Sequence, residues 1–401
     1  MVRATEGAVT RRRERLEALE GKLRRGPLRE DAFPSRLHDR RVASWLGIAL
    51  GITFTTAFLT GWLSHLIQNP APWFEWPSRP AGLYRITQGL HVATGIASIP
   101  LLLAKLWTVY PRLWQWPPVR GPLHLIERLA IIPLVAGSLV LLATGVANIA
   151  GWYPWPFFFI QGHYAAAWIT IGALIIHAGA KLPVAIRAIR TRYEQHRDQP
   201  GEGLDRRGLL RLSFGAAGLL TLLTVGQTVR PLRRLALLAT RDPAVGPQGI
   251  PINRTAVRAA VTELAHDPGY TLTIDGDVER PLALSLEDLR GMPQTTATLP
   301  IACVEGWSAE GTWRGVAVAE LLELAGAPED TEVLVESMEP RGPYRTSTLN
   351  ASHASDQHTV LAMELNSEPL DIDHGFPLRL IGPNRPGVMN TKWVGHLEVR
   401  A

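Results

Sequence analysis

Cysteine is nearly absent from this chain. Cys303 is the one cysteine in 401 residues, so no disulfide can form within the chain. Neither a zinc finger nor a cysteine-ligated iron–sulfur cluster can be assembled from it. The Arg/Glu-rich residues ahead of the first long apolar run contain no apolar h-region, so no cleavable amino-terminal signal is expected there. Acidic charge is scarce in the first part of the chain: residues 1–244 hold 30 Lys+Arg against 14 Asp+Glu, whereas residues 245–401 hold 11 against 22. The net charge of +5 therefore joins a basic part to an acidic part. The basic excess flanks apolar runs, where it sets membrane orientation, so a nucleic-acid partner is not expected.

Five runs are apolar over the roughly 20 residues needed to cross a bilayer core: Val42–Ile67, Tyr84–Val109, Leu129–Ile149, Phe157–Leu182 and Leu209–Val229. Most of the 13 tryptophans stand at the ends of these runs, as in an interfacial belt. Arginine marks one side. Arg11, Arg12, Arg13, Arg24, Arg25, Arg36, Arg40 and Arg41 precede the first run, Arg112 and Arg120 follow the second, and Arg187, Arg190, Arg192 and Arg197 follow the fourth. The alternate loops carry only Arg79 and Arg85, or no basic residue. Positive charge stays inside, which predicts a multi-pass protein of the cytoplasmic membrane, in contact with lipid, with a cytoplasmic amino terminus and an extracytoplasmic carboxy-terminal domain. The expected division is a basic tail (1–37), a membrane domain (38–195), a linker with a fifth, anchoring helix (196–244) and an outer domain (245–401).

Histidines inside apolar runs are costly in lipid and mark function; imidazoles on facing helices are haem ligands. His163 and His177 stand 14 residues apart in the fourth run, close to four helical turns, so they share one face about 21 Å apart. That spacing suits two stacked haems. His91 and His163 each fall about six residues into runs that cross in the same direction, so they sit at matching depth and pair on an outer haem. A partner for His177 is left open among His38, just ahead of the first run, His65 and His124, with His38 the preferred choice. This layout resembles the di-haem cytochrome b subunits of respiratory formate dehydrogenases and nickel–iron hydrogenases over roughly residues 36–190. The resemblance implies a four-helix cytochrome b-like bundle with one or two b-type haems and supports His91, His163 and His177 as ligands. Ahead of the fifth run, Arg206 and Arg207 followed by Leu209, Leu210, Arg211 and a Gly/Ala-rich apolar stretch resemble a twin-arginine export signal, a route for domains already folded around a cofactor.

From about Val245 the pattern becomes short alternating runs between Gly, Pro and Asp: Thr271–Gly276, Thr331–Ser337 and Phe376–Ile381 read as strands. Arg254–Ala265, Leu286–Leu289 and Val318–Ala325 read as helical, giving a mainly β, α+β domain. Cys303 follows a short β run and precedes a Gly/Trp/Ser loop and then a helix. By itself it suits a nucleophile, a soft metal ligand or an inert core thiol; no neighbouring His–Asp pair supports a Cys–His hydrolase.

The motif Cys303-Val304-Glu305-Gly306-Trp307-Ser308, with Trp313, Gly315 and the ELLELAG helix, resembles the sulfite-oxidase-type molybdopterin domain, nearest its bacterial sulfoxide-reductase branch. The closing stretch Gly375–Val399 is similar to that family's last cofactor-holding segment. The resemblance implies that Cys303 ligates molybdenum and is the catalytic centre. The anionic pterin phosphate would be held by Arg379, Arg385 and Lys392, with Asn253 and Arg254. Tyr344, Arg345, His353 and Asp356 read as a solvated loop. The expected protein is a membrane-bound molybdopterin oxidoreductase that transfers an oxygen atom to or from a small molecule and exchanges electrons with quinones through haem b. The alternative is a haem b membrane protein whose outer β domain only binds a partner.

Overall fold

The computed structural model describes residues 33, 35, 37–114, 119–154, 159–190, 204–225 and 229–400. Arg11, Arg12, Arg13, Arg24, Arg25, Arg36, Arg192 and Arg197, which carry much of the charge asymmetry, lie outside the described residues.

Among the described residues five helices are long and apolar enough to cross a membrane: α1 (Arg40–Gln68), α2 (Leu83–Val109), α3 (Pro122–Ile149), α4 (Phe159–Arg190) and α5 (Arg206–Val225). Helix α3 starts seven residues before the expected Leu129, since proline suits a first helical position and Glu127 in the added turns pairs with Lys181 at 2.6 Å. Asp39 caps α1, accepting from the backbone N–H groups of Arg41 and Val42 at 2.7 and 3.2 Å, and also receives Arg206 at 3.1 Å.

The chain divides into two compact units. The first holds the described residues of Met1–Thr55, Gly95–Thr144 and Phe157–Leu220. Its surface is apolar, with Ile52, Leu103, Ile132, Ile169 and Ile175 exposed, while Ser98, Thr108, Ser138 and Thr170 are buried. A helical unit in water would reverse this arrangement; one in lipid turns its hydroxyls inward, where helix carbonyls accept from them. Thr108, Ser138 and Thr170 each donate to the carbonyl four residues back.

The second unit holds Thr56–Thr94, Gly145–Pro156 and Thr221–Ala401, and thus includes residues 56–68 of α1, 83–94 of α2 and 145–149 of α3. Its β part has ten strands: β1 (Thr271–Gly276), β2 (Leu282–Ser285), β3 (Thr295–Ala302), β4 (Ser308–Ala317), β5 (Glu332–Ser337), β6 (Thr346–Leu349), β7 (Val360–Leu365), β8 (Glu368–Pro369), β9 (Arg379–Ile381) and β10 (Val394–Arg400). They form two sheets, ordered β2-β1-β10-β5-β6 and β3-β4-β7-β8, with β9 also paired to β7. The last strand is internal, parallel to β1 with Thr273 opposite His396 and antiparallel to β5 with Leu397 opposite Val335. The core gathers Leu272, Ile274, Val316, Leu321, Val333, Val335, Leu361, Leu378 and Leu397 around α6 (Leu286–Gly291) and α7 (Val318–Ala325).

Five apolar helices followed by a mixed-sheet α+β domain agree with the expected order of fold classes. Three local expectations change. The helix expected over Arg254–Ala265 is two four-residue pieces, because Ala260 turns left-handed at φ +56°. A ten-residue strand, β4, separates the Cys303 loop from α7; all eight residues of β3 find antiparallel partners in it. The strand expected from Phe376 starts at Arg379, since Pro377 has no N–H to give a ladder.

Candidate functional site

Cys303 is placed by a hairpin. Ala302 and Ser308 are the last paired residues of β3 and β4, so residues 303–307 form the connecting loop. The Cys303 N–H donates to the Trp307 carbonyl at 2.9 Å and the Gly306 N–H to the Cys303 carbonyl at 3.1 Å. Gly306 takes φ +90°, a conformation that favours glycine.

The thiol is buried, 2% exposed, and burial, aided by the Glu305 carboxylate, pushes its pKa well above the usual thiol range. A thiol so disposed is neutral in water and is a poor nucleophile. A bound metal reverses this by deprotonating it. Among the described residues no group of three or more His, Cys, Asp or Glu side chains is placed to hold a bare metal ion. One sulfur donor therefore fits a metal that arrives with its other ligands already attached.

Cys303 faces a cleft whose lining includes Asn253, Trp307, Arg379, Gly387 and Lys392. Arg379 reaches it from β9 and Lys392 from the approach to β10. Gly375, at φ +117°, makes their convergence possible: a Cβ there would lie 3.2 Å from the Arg379 Cβ and 3.1 Å from the Lys392 Cβ. Arg379 is buried over the face of Trp313, 5.2 Å from the ring centroid, and donates to the His374 carbonyl at 3.0 Å. Among the described residues its Nε has no partner, and no carboxylate lies at ion-pair distance from it. Burial lowers its pKa to about 9. Lys392 donates to the carbonyls of Arg254 and Asp373 at 2.9 and 2.7 Å. Burial and then the like charge of Arg379 bring it down to about 7, against the opposing pull of Asp373. A buried guanidinium without an anion costs several kcal/mol, and an anionic ligand removes that cost. The donor set therefore fits a molybdenum–pterin phosphate group: a soft sulfur at one point and cationic N–H donors at another.

The structure thus brings together Asn253, Cys303, Arg379 and Lys392. Arg254 is instead paired with Glu339 at 2.9 Å. Arg385 is buried, but turns to the carbonyls of Thr348 and Met389 at 2.9 and 3.1 Å, with its Nε unpartnered. Sequence reasoning missed Glu305, which accepts from Trp307 Nε1 at 3.1 Å and pairs with Arg241 at 2.9 Å. Its place two residues after Cys303 was the available signal. The solvated reading of the 344–356 loop is corrected. His353 is buried, and burial, then the charge of Arg385, drops its pKa to about 3. Tyr344 is half-buried and raised to about 12 by burial and by its nearness to Cys303. Asp356 is held by Arg79 through two bonds of 2.8 and 2.9 Å. Arg345 alone of the four stays exposed.

The histidines of the helices are placed as follows. In the second unit, His91 Nδ1 bonds the Ala57 carbonyl at 2.8 Å, which leaves Nε2 as the lone-pair nitrogen, the tautomer of a metal-ligating imidazole. Gly61 admits the ring: a Cβ there would lie 2.8 Å from His91 Cε1. In the first unit, His163 Nδ1 meets the Thr144 hydroxyl at 2.8 Å. His177 Nδ1 is buried without a partner. His38 bonds the Thr108 carbonyl at 3.3 Å and packs edge-on against Tyr110.

A family model for the oxidoreductase molybdopterin binding domain matches residues 259–401. The sulfite oxidase of Arabidopsis thaliana is 31% identical over 169 residues, 34% of this chain and 43% of that protein. A candidate protein-methionine-sulfoxide reductase subunit of Azospira oryzae, YedZ1, is 32% identical over 130 residues, 32% of this chain and 48% of that protein. The crystal structure of the sulfane dehydrogenase SoxCD from Paracoccus pantotrophus shares 28% identity over 33% of this chain and 38% of its own, at a TM-score of 0.31. The chain spans less than half the length of each of these relatives. Residues 259–401 are a molybdopterin-binding oxidoreductase domain of the sulfite-oxidase type.

Proposed function

We propose that this chain is a membrane-spanning molybdenum oxidoreductase that transfers an oxygen atom to or from a small sulfur compound outside the cytoplasmic membrane. It exchanges electrons with membrane quinones through b-type haem. The observation that carries the reading is the cleft in which the lone cysteine of the chain meets Arg379, a buried cation without a counter-anion, and Lys392. When bound, a molybdenum centre supplies two-electron oxygen-atom transfer: a sulfoxide with two protons and two electrons gives a sulfide and water, and sulfite with water gives sulfate, two protons and two electrons. Cys303 is the protein's sulfur ligand. Arg379, Lys392 and Asn253 would hold the phosphate and pterin; Arg254 and Arg385 are further candidates that are engaged elsewhere in this structure. The hairpin excludes water from the sulfur by burying it.

His91, His163 and His177 are the haem ligands of this reading, and His38 is the further candidate. Its support is their depth in the apolar runs and the tautomer set by Ala57. Arg206 and Arg207 act as the export signal, delivering a domain that has folded around its cofactor. The inside-positive loops support an extracytoplasmic location for residues 245–401.

Metal and haem analysis of purified full-length protein, wild type beside Cys303→Ala, tests the assignment. About one molybdenum and one or two haems per wild-type chain are expected. The variant loses molybdenum and turnover of sulfite or methionine sulfoxide but keeps its haem. Wild-type protein without molybdenum, or a variant with undiminished turnover, overturns it and favours an outer domain that only binds a partner.

A further inference from the structure

The loop that bears Cys303 is gripped by the helix ends of its own unit. The Val304 carbonyl accepts from Asn148 Nδ2 at 3.0 Å and from Gln88 Nε2 at 3.4 Å. Asn148 belongs to the last turn of α3, and its side-chain oxygen Oδ1 accepts from the Tyr153 hydroxyl at 2.9 Å. That bond settles which edge of the amide faces Val304. At the next residue, Glu305 is tied to Arg241, which also donates to the Ile252 carbonyl at 3.1 Å. At Gly306 a Cβ would press on the Val92 methyl groups at 3.2 and 3.3 Å. Three consecutive loop residues are thus each held by a different contact.

Gln88, His91 and Val92 are at positions i, i+3 and i+4 of α2, so they share one face. Gln88 and His91 are separated by about 4.5 Å of helix rise. The turn of α2 that touches the metal-ligand loop is therefore the turn that carries His91.

We propose that Gln88 and Asn148 are positioning residues that index the Cys303 loop to the His91 turn, so that electrons pass between the outer centre and an α2-bound haem within this chain, without a separate carrier. The inference rests on the proposed function. Each oxygen atom transferred moves two electrons and a haem iron takes one, so the route is crossed twice per turnover. The quinone pool takes up or supplies both electrons with their two protons. Two donors on one carbonyl hold the loop more firmly than one, and a fixed loop keeps the distance for electron transfer constant.

The test uses full-length protein in lipid nanodiscs, as wild type, Gln88→Leu, Asn148→Leu and the double variant. In protein from cells that do not make the molybdenum cofactor, backbone amides of residues 303–307 should exchange hydrogen about 10-fold faster in the double variant than in wild type. In loaded protein, the rate at which substrate changes the haem redox state should fall about 10-fold more than turnover with a dye that exchanges electrons directly at the outer centre. The single variants keep one donor and should fall between, which guards against a double variant that misfolds. Equal losses in haem-linked and dye-linked rates, or unchanged exchange in the loop, overturn the proposal. A wild type without haem overturns the electron route together with the proposed function. A haem-loaded wild type whose variants show no split overturns the route alone.

Discussion

At the scale of single residues, Lys392 gives the clearest handle. Its pKa falls from the ordinary lysine value of about 10.4 to about 7 in the cleft, because burial and Arg379 both disfavour its charge. Between those two values the unfolded chain binds more protons than the folded one, so stability of the cofactor-free protein rises with pH over that window. Melting curves of cofactor-free wild type and Lys392→Met from pH 7 to pH 10 should show the rise in wild type and a flatter profile in the variant. Equal slopes would remove Lys392 from the buried-cation account. An anion bound at Arg379 and Lys392 favours the charged lysine, so cofactor retention should be stronger below about pH 7 than above it.

Among the helix histidines, His163→Ala should abolish or shift a b-type haem band in a reduced-minus-oxidised spectrum. His124→Ala, whose ring meets the Arg120 N–H at 3.1 Å near the start of α3, should leave it in place.

At the scale of elements, the β3–β4 hairpin and its neighbour β7 fix the sulfur. Gly315 in β4 pairs with Ala362 of β7, and a Cβ at Gly315 would run into the Leu361 carbonyl. Gly315→Ala should therefore cost about 1–3 kcal/mol through strand displacement. Thermal melts with metal analysis will show whether molybdenum retention falls with it. The hairpin also marks the limit of local pattern reading. The alternation in SAEGTWRGVA was broken by Gly311 and Gly315, so the stretch looked like a loop before a helix. Pairing with both β3 and β7 makes it a central strand. Helix α7 was legible over its full range, Val318–Ala325, because an apolar face at helical spacing is a local property. The piece from Arg254 was not, since its break at Ala260 packs Ala256, Ala259 and Val261 against Trp393, more than 100 residues away.

At the scale of the whole molecule, the single cysteine makes topology measurable. Cys303 is buried and its thiol is held neutral, so it is silent toward maleimides. A second cysteine added at an exposed site then reports alone. Glu329→Cys should label with a membrane-impermeant maleimide on intact cells, and Arg190→Cys only after permeabilisation; both positions are exposed. The reverse pattern would invert the inside-positive assignment.

Run length, charge sign and the count of one thiol were enough to determine five apolar helices among the described residues, a change of residue pattern near residue 245 and a lone soft donor, since each depends only on neighbouring residues. Tertiary structure alone decided which cations meet that donor. Arg379 and Lys392 line the cleft, while Arg254 and Arg385 are taken up by Glu339 and by carbonyls. His353 is buried rather than solvated, and Val304 is bonded to side chains 156 and 216 residues earlier. Contacts across such separations are chosen by packing of whole sheets and helix ends, for which no local period in the chain encodes a signal.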